Sequence, residues 1–199
     1  MADISAALVK ALREETGAGF MDCKRALEET NGDLQAAIAL LRERGQAAAE
    51  KRSSRDVREG LVSSYIHTGG RIGVLIEVNC ETDFVARTDQ FQKLVRDLAM
   101  QVAGLRPEFV DSDGIPADVL AAKRAELLAD EATGRKPEAI RDQIVDGQLK
   151  KWYAQACLLD QPYRDTEITV RDLITNSIAT IGENIRVRRF VRYELGEES

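Results

Sequence analysis

Arg71-Ile72-Gly73-Val74-Leu75-Ile76-Glu77-Val78-Asn79-Cys80-Glu81-Thr82-Asp83-Phe84-Val85-Ala86-Arg87 is the run on which the fold turns. In its first half Ile72, Val74, Ile76 and Val78 alternate with Arg71, Gly73, Leu75 and Glu77, the period of two that a half-buried strand needs. The alternation stops at a polar cluster, and Asp83 and Phe84 follow. Two readings of that end are open. In one, a rigid loop presents an apolar wedge and a negative charge to something outside the chain. In the other, Phe84 caps the local core and Asp83 starts the next helix.

Working outward, Leu61 to His67 reads as a partner strand, joined through Thr68-Gly69-Gly70, where the glycines permit a tight hairpin. A helix follows with Phe91, Leu94, Val95, Leu98 and Val102 on one face. Pro107 to Ile115 reads as a loop, and helical stretches occupy 116–132 and 137–157, with Pro137 suited to a first turn. Gln161-Pro162 breaks the pattern. Thr169, with Asp172 three residues on, opens a helix whose Val170, Leu173, Ile174, Ile178 and Ile181 share a face. A last strand from Ile185 to Leu195 carries Val187, Val191, Tyr193 and Leu195 on one side, and Arg189 among them implies a bulge. Strands, helices and a strand again predict an α+β domain over 60–199, a small antiparallel sheet packed with helices.

Residues 1–45 read as a separate module of three short helices. Asp3 caps the first, whose apolar face is Ile4, Leu8, Ala11 and Leu12, and Gly17 and Gly19 end it. Cys23, Ala26 and Leu27 mark the second. Asp33 opens the third, which carries Leu34, Ala37, Ile38 and Leu41 and is closed by Gly45. This module resembles a ubiquitin-associated domain. Residues 46–59, Ala-rich and then charged, read as a helical or charged linker.

The 199 residues are 44% hydrophobic and 31% charged, an ordinary globular composition. A net charge of −6 argues against a protein that holds nucleic acid by neutralising phosphates. The linker's Lys51, Arg52, Arg55 and Arg58 are diluted by Glu50, Asp56 and Glu59, with no aromatic interleaved for stacking, and RNA binding through Arg186, Arg188 and Arg192 is a weak reading for the same reason of charge. Cys23, Cys80 and Cys157 are odd in number and lack Cys-x-x-Cys spacing, which points to a reducing compartment. With no basic-then-apolar leader at Met1 and no apolar run near the ~20 residues of a membrane span, the expected location is cytoplasmic. There is no Gly-x-x-x-x-Gly-Lys loop, and Gly17-Ala18-Gly19 lacks the preceding strand of a dinucleotide fingerprint. His67 is the only histidine, and a Cys80–His67 pair has no orienting third residue. The expectation is a binding protein without catalytic residues, metal or cofactor.

Leu12-Arg13-Glu14-Glu15-Thr16-Gly17-Ala18-Gly19-Phe20-Met21-Asp22-Cys23-Lys24-Arg25-Ala26-Leu27 and the run from Glu77 to Arg87 together closely resemble bacterial elongation factor Ts. The likeness continues through Leu41 to Gly45, Lys150-Lys151, Leu158 to Pro162 and Ile181-Gly182-Glu183-Asn184-Ile185, nearly the whole chain. The resemblance implies a guanine-nucleotide exchange factor for the translation GTPase elongation factor Tu, acting without covalent chemistry. It implies that Thr82, Asp83, Phe84 and Val85 enter a cleft of the partner beside its nucleotide-bound magnesium. It implies docking of the N-terminal module through Arg13, Phe20, Met21 and Lys24, with Phe20 where Met is common, and a partner-facing place for His67. The core unit occurs once here, as in the short form of the family, which implies a homodimer. The last strand, with Phe190-Val191-Arg192, offers no cysteine for an intersubunit disulfide. The alternative function is an adaptor that binds a ubiquitin-like protein through the N-terminal module.

Overall fold

The computed structural model describes residues 4–130, 137–164, 166 and 168–197, so Asp3 lies outside the described residues. It divides into two compact units. The first comprises Met1–Ser63, Ile76–Asp97 and Arg171–Arg188, the second Ser64–Leu75, Leu98–Val170 and Arg189–Ser199. The architecture is α+β: helices and one three-stranded antiparallel sheet ordered β1-β2-β3. Its strands are β1 (Glu59–Ile66), β2 (Ile72–Cys80) and β3 (Arg186–Glu194).

In the first unit α1 (Ala6–Thr16), α2 (Phe20–Glu29) and α3 (Leu34–Arg52) pack into a bundle. Ser5 is the cap of α1, accepting from the Leu8 amide at 3.2 Å. The bundle buries Val9, Leu12, Cys23, Ala26, Leu27, Ala37 and Ile38. Ala11, expected inside, is exposed and Val9 takes the inward place. The larger side chain gains more from burial, and rotating the helix to favour it costs only a methyl.

The expected stop at Gly45 does not occur; α3 runs on to Arg52. Gly45 is buried, and a Cβ there would lie 3.8 Å from the Cβ of Ala179, which belongs to a later helix. That is ordinary contact, so packing along α3 simply outweighs the modest helix penalty of a glycine. Gly60 is conformationally obligatory: its φ is +143°, and a Cβ would meet the Val78 carbonyl oxygen at 2.2 Å. Asn79, buried beside it, donates from Nδ2 to the Glu59 carbonyl at 3.2 Å.

β1 and β2 form the expected hairpin, with the His67 amide donating to the Ile72 carbonyl at 2.9 Å. That register puts Val74, Ile76 and Val78 on the inner face and Leu75 on the outer one. In β3 the burial phase changes at Arg188 and Arg189, two consecutive exposed residues. Val187 faces inward, but beyond the break Val191, Tyr193 and Leu195 are exposed. Val187 and the later apolar residues, expected on one side, are thus on opposite faces, with the change of phase at the Arg189 position where a bulge was expected. Arg192 turns inward instead, only 7% exposed, with its guanidinium 2.7 Å from Glu194 and donating to the Ala103 carbonyl at 3.4 Å. The Arg192 hydrogen bond, with the charges of Arg106 and Arg71, holds the Glu194 carboxyl below its usual range.

In the second unit α6 (Ala117–Ala129) packs on α7 (Glu138–Ala156). Gln161, just beyond α7, is fully buried. It donates to the carbonyls of Leu105 (3.2 Å) and Gln155 (2.7 Å) and accepts from Gln101 at 3.3 Å. Satisfying both amide ends is what makes a buried glutamine tolerable, and it pins the break at Gln161-Pro162. Between them, α5 (Asp89–Leu105) and α8 (Val170–Ile181) supply the buried faces expected for those segments, including Phe91, Leu94, Val95, Leu98, Val102, Val170, Ile174 and Ile178.

Candidate functional site

β2 ends at Cys80, and after two residues the chain makes a single helical turn, α4 (Asp83–Ala86). Thr82 has extended backbone and caps the turn, its hydroxyl oxygen accepting from the Val85 amide at 3.3 Å. One turn of helix puts successive side chains about 100° apart, so neighbours point in different directions. Val85 and Ala86 point inward and are buried; Phe84 points outward and is 77% exposed. Asp83 starts the turn and ion-pairs across the surface with Arg87 at 2.8 Å. Half of the second reading therefore holds, since Asp83 opens a helix, but Phe84 caps no core. Val85 is a floor under the turn.

A turn this short has almost no stability of its own, and its fixity comes from contacts remote in sequence. The Glu183 carboxylate accepts from the amides of Glu81 and Thr82, both at 3.0 Å to Oε2, and from the Thr82 hydroxyl at 2.6 Å to Oε1. The Glu81 carboxylate accepts in turn from the Asn184 amide at 2.7 Å. Asn184 is buried and donates from Nδ2 to the carbonyls of Ser53 (3.4 Å) and Arg55 (3.0 Å). Arg186 donates to the Ser53 carbonyl, and Arg52 donates to the Gly182 carbonyl at 2.9 Å. Beneath the turn, the buried Cys80 thiol donates to the Thr82 carbonyl at 3.2 Å. Burial, reinforced by the charge of Glu183, pushes that thiol up to about 11, so it is an uncharged packing group at neutral pH.

Sequence reading gave Glu81, Glu183 and Asn184 no role. The polar Gly182-Glu183-Asn184 within the short connection between a helix and a strand was the only local sign. Arg13 lies in the last turn of α1; Phe20 and Met21 open α2 and are 50% and 59% exposed. Lys24, one turn on, is half exposed and 3.8 Å from Glu28. His67, at the hairpin in the second unit, is exposed with Nδ1 3.0 Å from the Tyr65 hydroxyl. Among the described residues no three His, Cys, Asp or Glu side chains cluster as metal ligands, and no helix is long and apolar enough to cross a membrane.

A family model described as elongation factor TS matches residues 15–197, most of the chain and all of the Thr82–Val85 turn with its Glu183 brace. The chain belongs to the elongation factor Ts family. Curated relatives agree along nearly their whole length. Elongation factor Ts of Synechococcus elongatus is 58% identical over 199 residues, covering 99% of this chain and 90% of the relative. Elongation factor Ts of Moorella thermoacetica is 57% identical over 195 residues, covering 98% and 96%. That of Carboxydothermus hydrogenoformans is 53% identical over 195 residues, covering 98% and 90%.

Proposed function

We propose that this protein is the nucleotide-exchange factor for elongation factor Tu, acting in the cytoplasm. The observation that carries the reading is Phe84, a large aromatic held out to solvent on a turn whose other apolar residues are buried. An exposed aromatic on a fixed scaffold is the anatomy of an interface anchor. The factor binds the GDP form of its partner and inserts Phe84 into a cleft near the partner's nucleotide. The Asp83 carboxylate would then act beside the partner's nucleotide-associated magnesium ion, where the ion's charge would dominate local electrostatics. Displacing the ion weakens the hold on GDP. Coupling is reciprocal, so nucleotide weakens the factor's grip by the same factor and incoming GTP completes the cycle. No covalent bond is made or broken.

Arg13, Phe20, Met21 and Lys24 supply a second contact, on the first two helices, that docks the factor. An adaptor that used only the N-terminal helices would leave Phe84 without a purpose. The outer sheet face, with Ile66, Leu75, Val191, Tyr193 and Leu195 exposed in the second unit, is read as the surface that pairs two copies. The deciding experiment is release of a fluorescent GDP from elongation factor Tu with substoichiometric factor. Many turnovers per factor molecule are expected. Release no faster than the spontaneous rate, at any factor concentration, would refute the reading.

A further inference from the structure

We infer that Glu183 is the positioning residue of the exchange turn, acting by the reach of its side chain and not by its charge. The inference rests on the exchange reading above and goes beyond it, because Glu183 itself is assigned no contact with the partner. Three hydrogen bonds converge on its carboxylate from Glu81 and Thr82, the two residues that link the end of β2 to α4. One of these groups, the Thr82 hydroxyl, also caps α4, so the brace and the helix cap share an atom. Glu183 in turn sits in a connection tied to the end of α3 through Asn184, Arg52 and Arg186. The turn therefore cannot tilt without breaking the hydrogen bonds that Glu183 accepts from the two residues before it.

The geometry makes reach separable from charge. Both amides converge on one oxygen, Oε2, at 3.0 Å. A glutamine at this position retains one carbonyl oxygen with two lone pairs, enough for both amides, and its amide nitrogen can donate to the Thr82 hydroxyl. An aspartate keeps the charge but is shorter by one carbon–carbon bond, roughly 1.5 Å. At that length it cannot reach both amides and the hydroxyl together.

The test measures fluorescent GDP release from elongation factor Tu across factor concentration for E183A, E183D and E183Q, each alone and with Phe84→Ala. Amide hydrogen exchange at Glu81 and Thr82 is followed in the free proteins. E183A and E183D are expected to lose about tenfold in release rate at saturation, since misplacing a contact by an ångström has effects of this order or larger. E183Q is expected to rescue the rate to within about threefold of wild type, with protection of both amides retained. E183D should show faster exchange at both amides, which a remote stability loss would not confine there. In the Phe84→Ala background the E183D loss should largely vanish, because the residue acts through the wedge.

If E183D releases GDP at the wild-type saturating rate, or E183Q is as slow as E183D, reach is not the cause and the inference is overturned. A loss as large with Phe84→Ala as without it overturns it too. Should E183A fail to fold, the comparison of E183D with E183Q decides alone. Wild-type factor that does not accelerate release refutes the exchange reading instead, while the amide comparison still reports whether Glu183 holds the turn.

Discussion

Truncating Phe84 to alanine separates the interface role from a structural one, because the structure makes opposite demands on stability and on exchange. A fully buried Phe is worth about 1.5–3 kcal/mol relative to exposure. With 77% of Phe84 in solvent, only about a quarter of that, roughly 0.5 kcal/mol, is at stake in the free factor. For a chain of this size such a loss lowers the melting temperature by about 1–2 °C. In the complex, loss of a central aromatic anchor costs ~2 kcal/mol or more, which is about thirtyfold in the exchange it supports. The assay is GDP release at subsaturating factor, run beside thermal unfolding of the free protein. Phe91, fully buried on α5, is the control: Phe91→Ala removes core and is expected to cost about 3–5 kcal/mol of stability. If Phe84→Ala melts as low as Phe91→Ala, Phe84 is structural after all. If it melts normally and exchanges within twofold of wild type, the wedge does not exist.

Light scattering should give a mass near twice 22.0 kDa for wild type and one copy for Tyr193→Asp at low micromolar concentration, because a carboxylate set in the apolar outer sheet face cannot be desolvated unpaired. A wild-type monomer at high micromolar concentration would rule out that face as the dimer surface. The thiol of Cys80 gives a pH signature. Its pKa is raised from 9.0 to about 11, so below pH 9 it is protonated in both folded and unfolded chains and its contribution is intact. Between about 9 and about 11 only the unfolded chain ionises, and stability falls as pH rises. Urea midpoints across that window should fall less steeply for Cys80→Ala than for wild type; parallel declines would contradict the assignment.

The hairpin was legible because two signals agreed, a period of two in the strand from Arg71 and glycines just before it. The helices carrying Phe91 and Ile174 were legible from their apolar stripes. What escaped was either too short or too distant. The four residues of α4 do not complete enough turns for periodicity to register, so a helix opening at Asp83 stood only as one of two open readings. Gly45 looked like a stop because a local rule has no knowledge of the packing along α3. Val191 and Tyr193 were placed on a common side, but alternation says which residues share a face, not which face is wet. The Glu183 brace spans a hundred residues of chain, and no spacing rule on one sequence joins them. Of the candidate site, the outward Phe84 was foreseeable as a chemical type; the means of holding it was not.

The sheet order leaves β3 with one unpaired backbone edge, and an open edge beside an apolar face is an invitation to unlimited strand stacking. The strand answers with Arg186, Arg188 and Arg189, all exposed, and with the change of phase that interrupts a flat run. Two such edges brought together antiparallel would set guanidinium against guanidinium and misalign their hydrogen-bonding groups. Arg186 and Arg188, two of the three arginines weighed as a nucleic-acid site, thus join Arg189 in disfavouring further strand addition at this edge. They allow an oily sheet face to remain available for one finite contact while the edge next to it refuses an endless one.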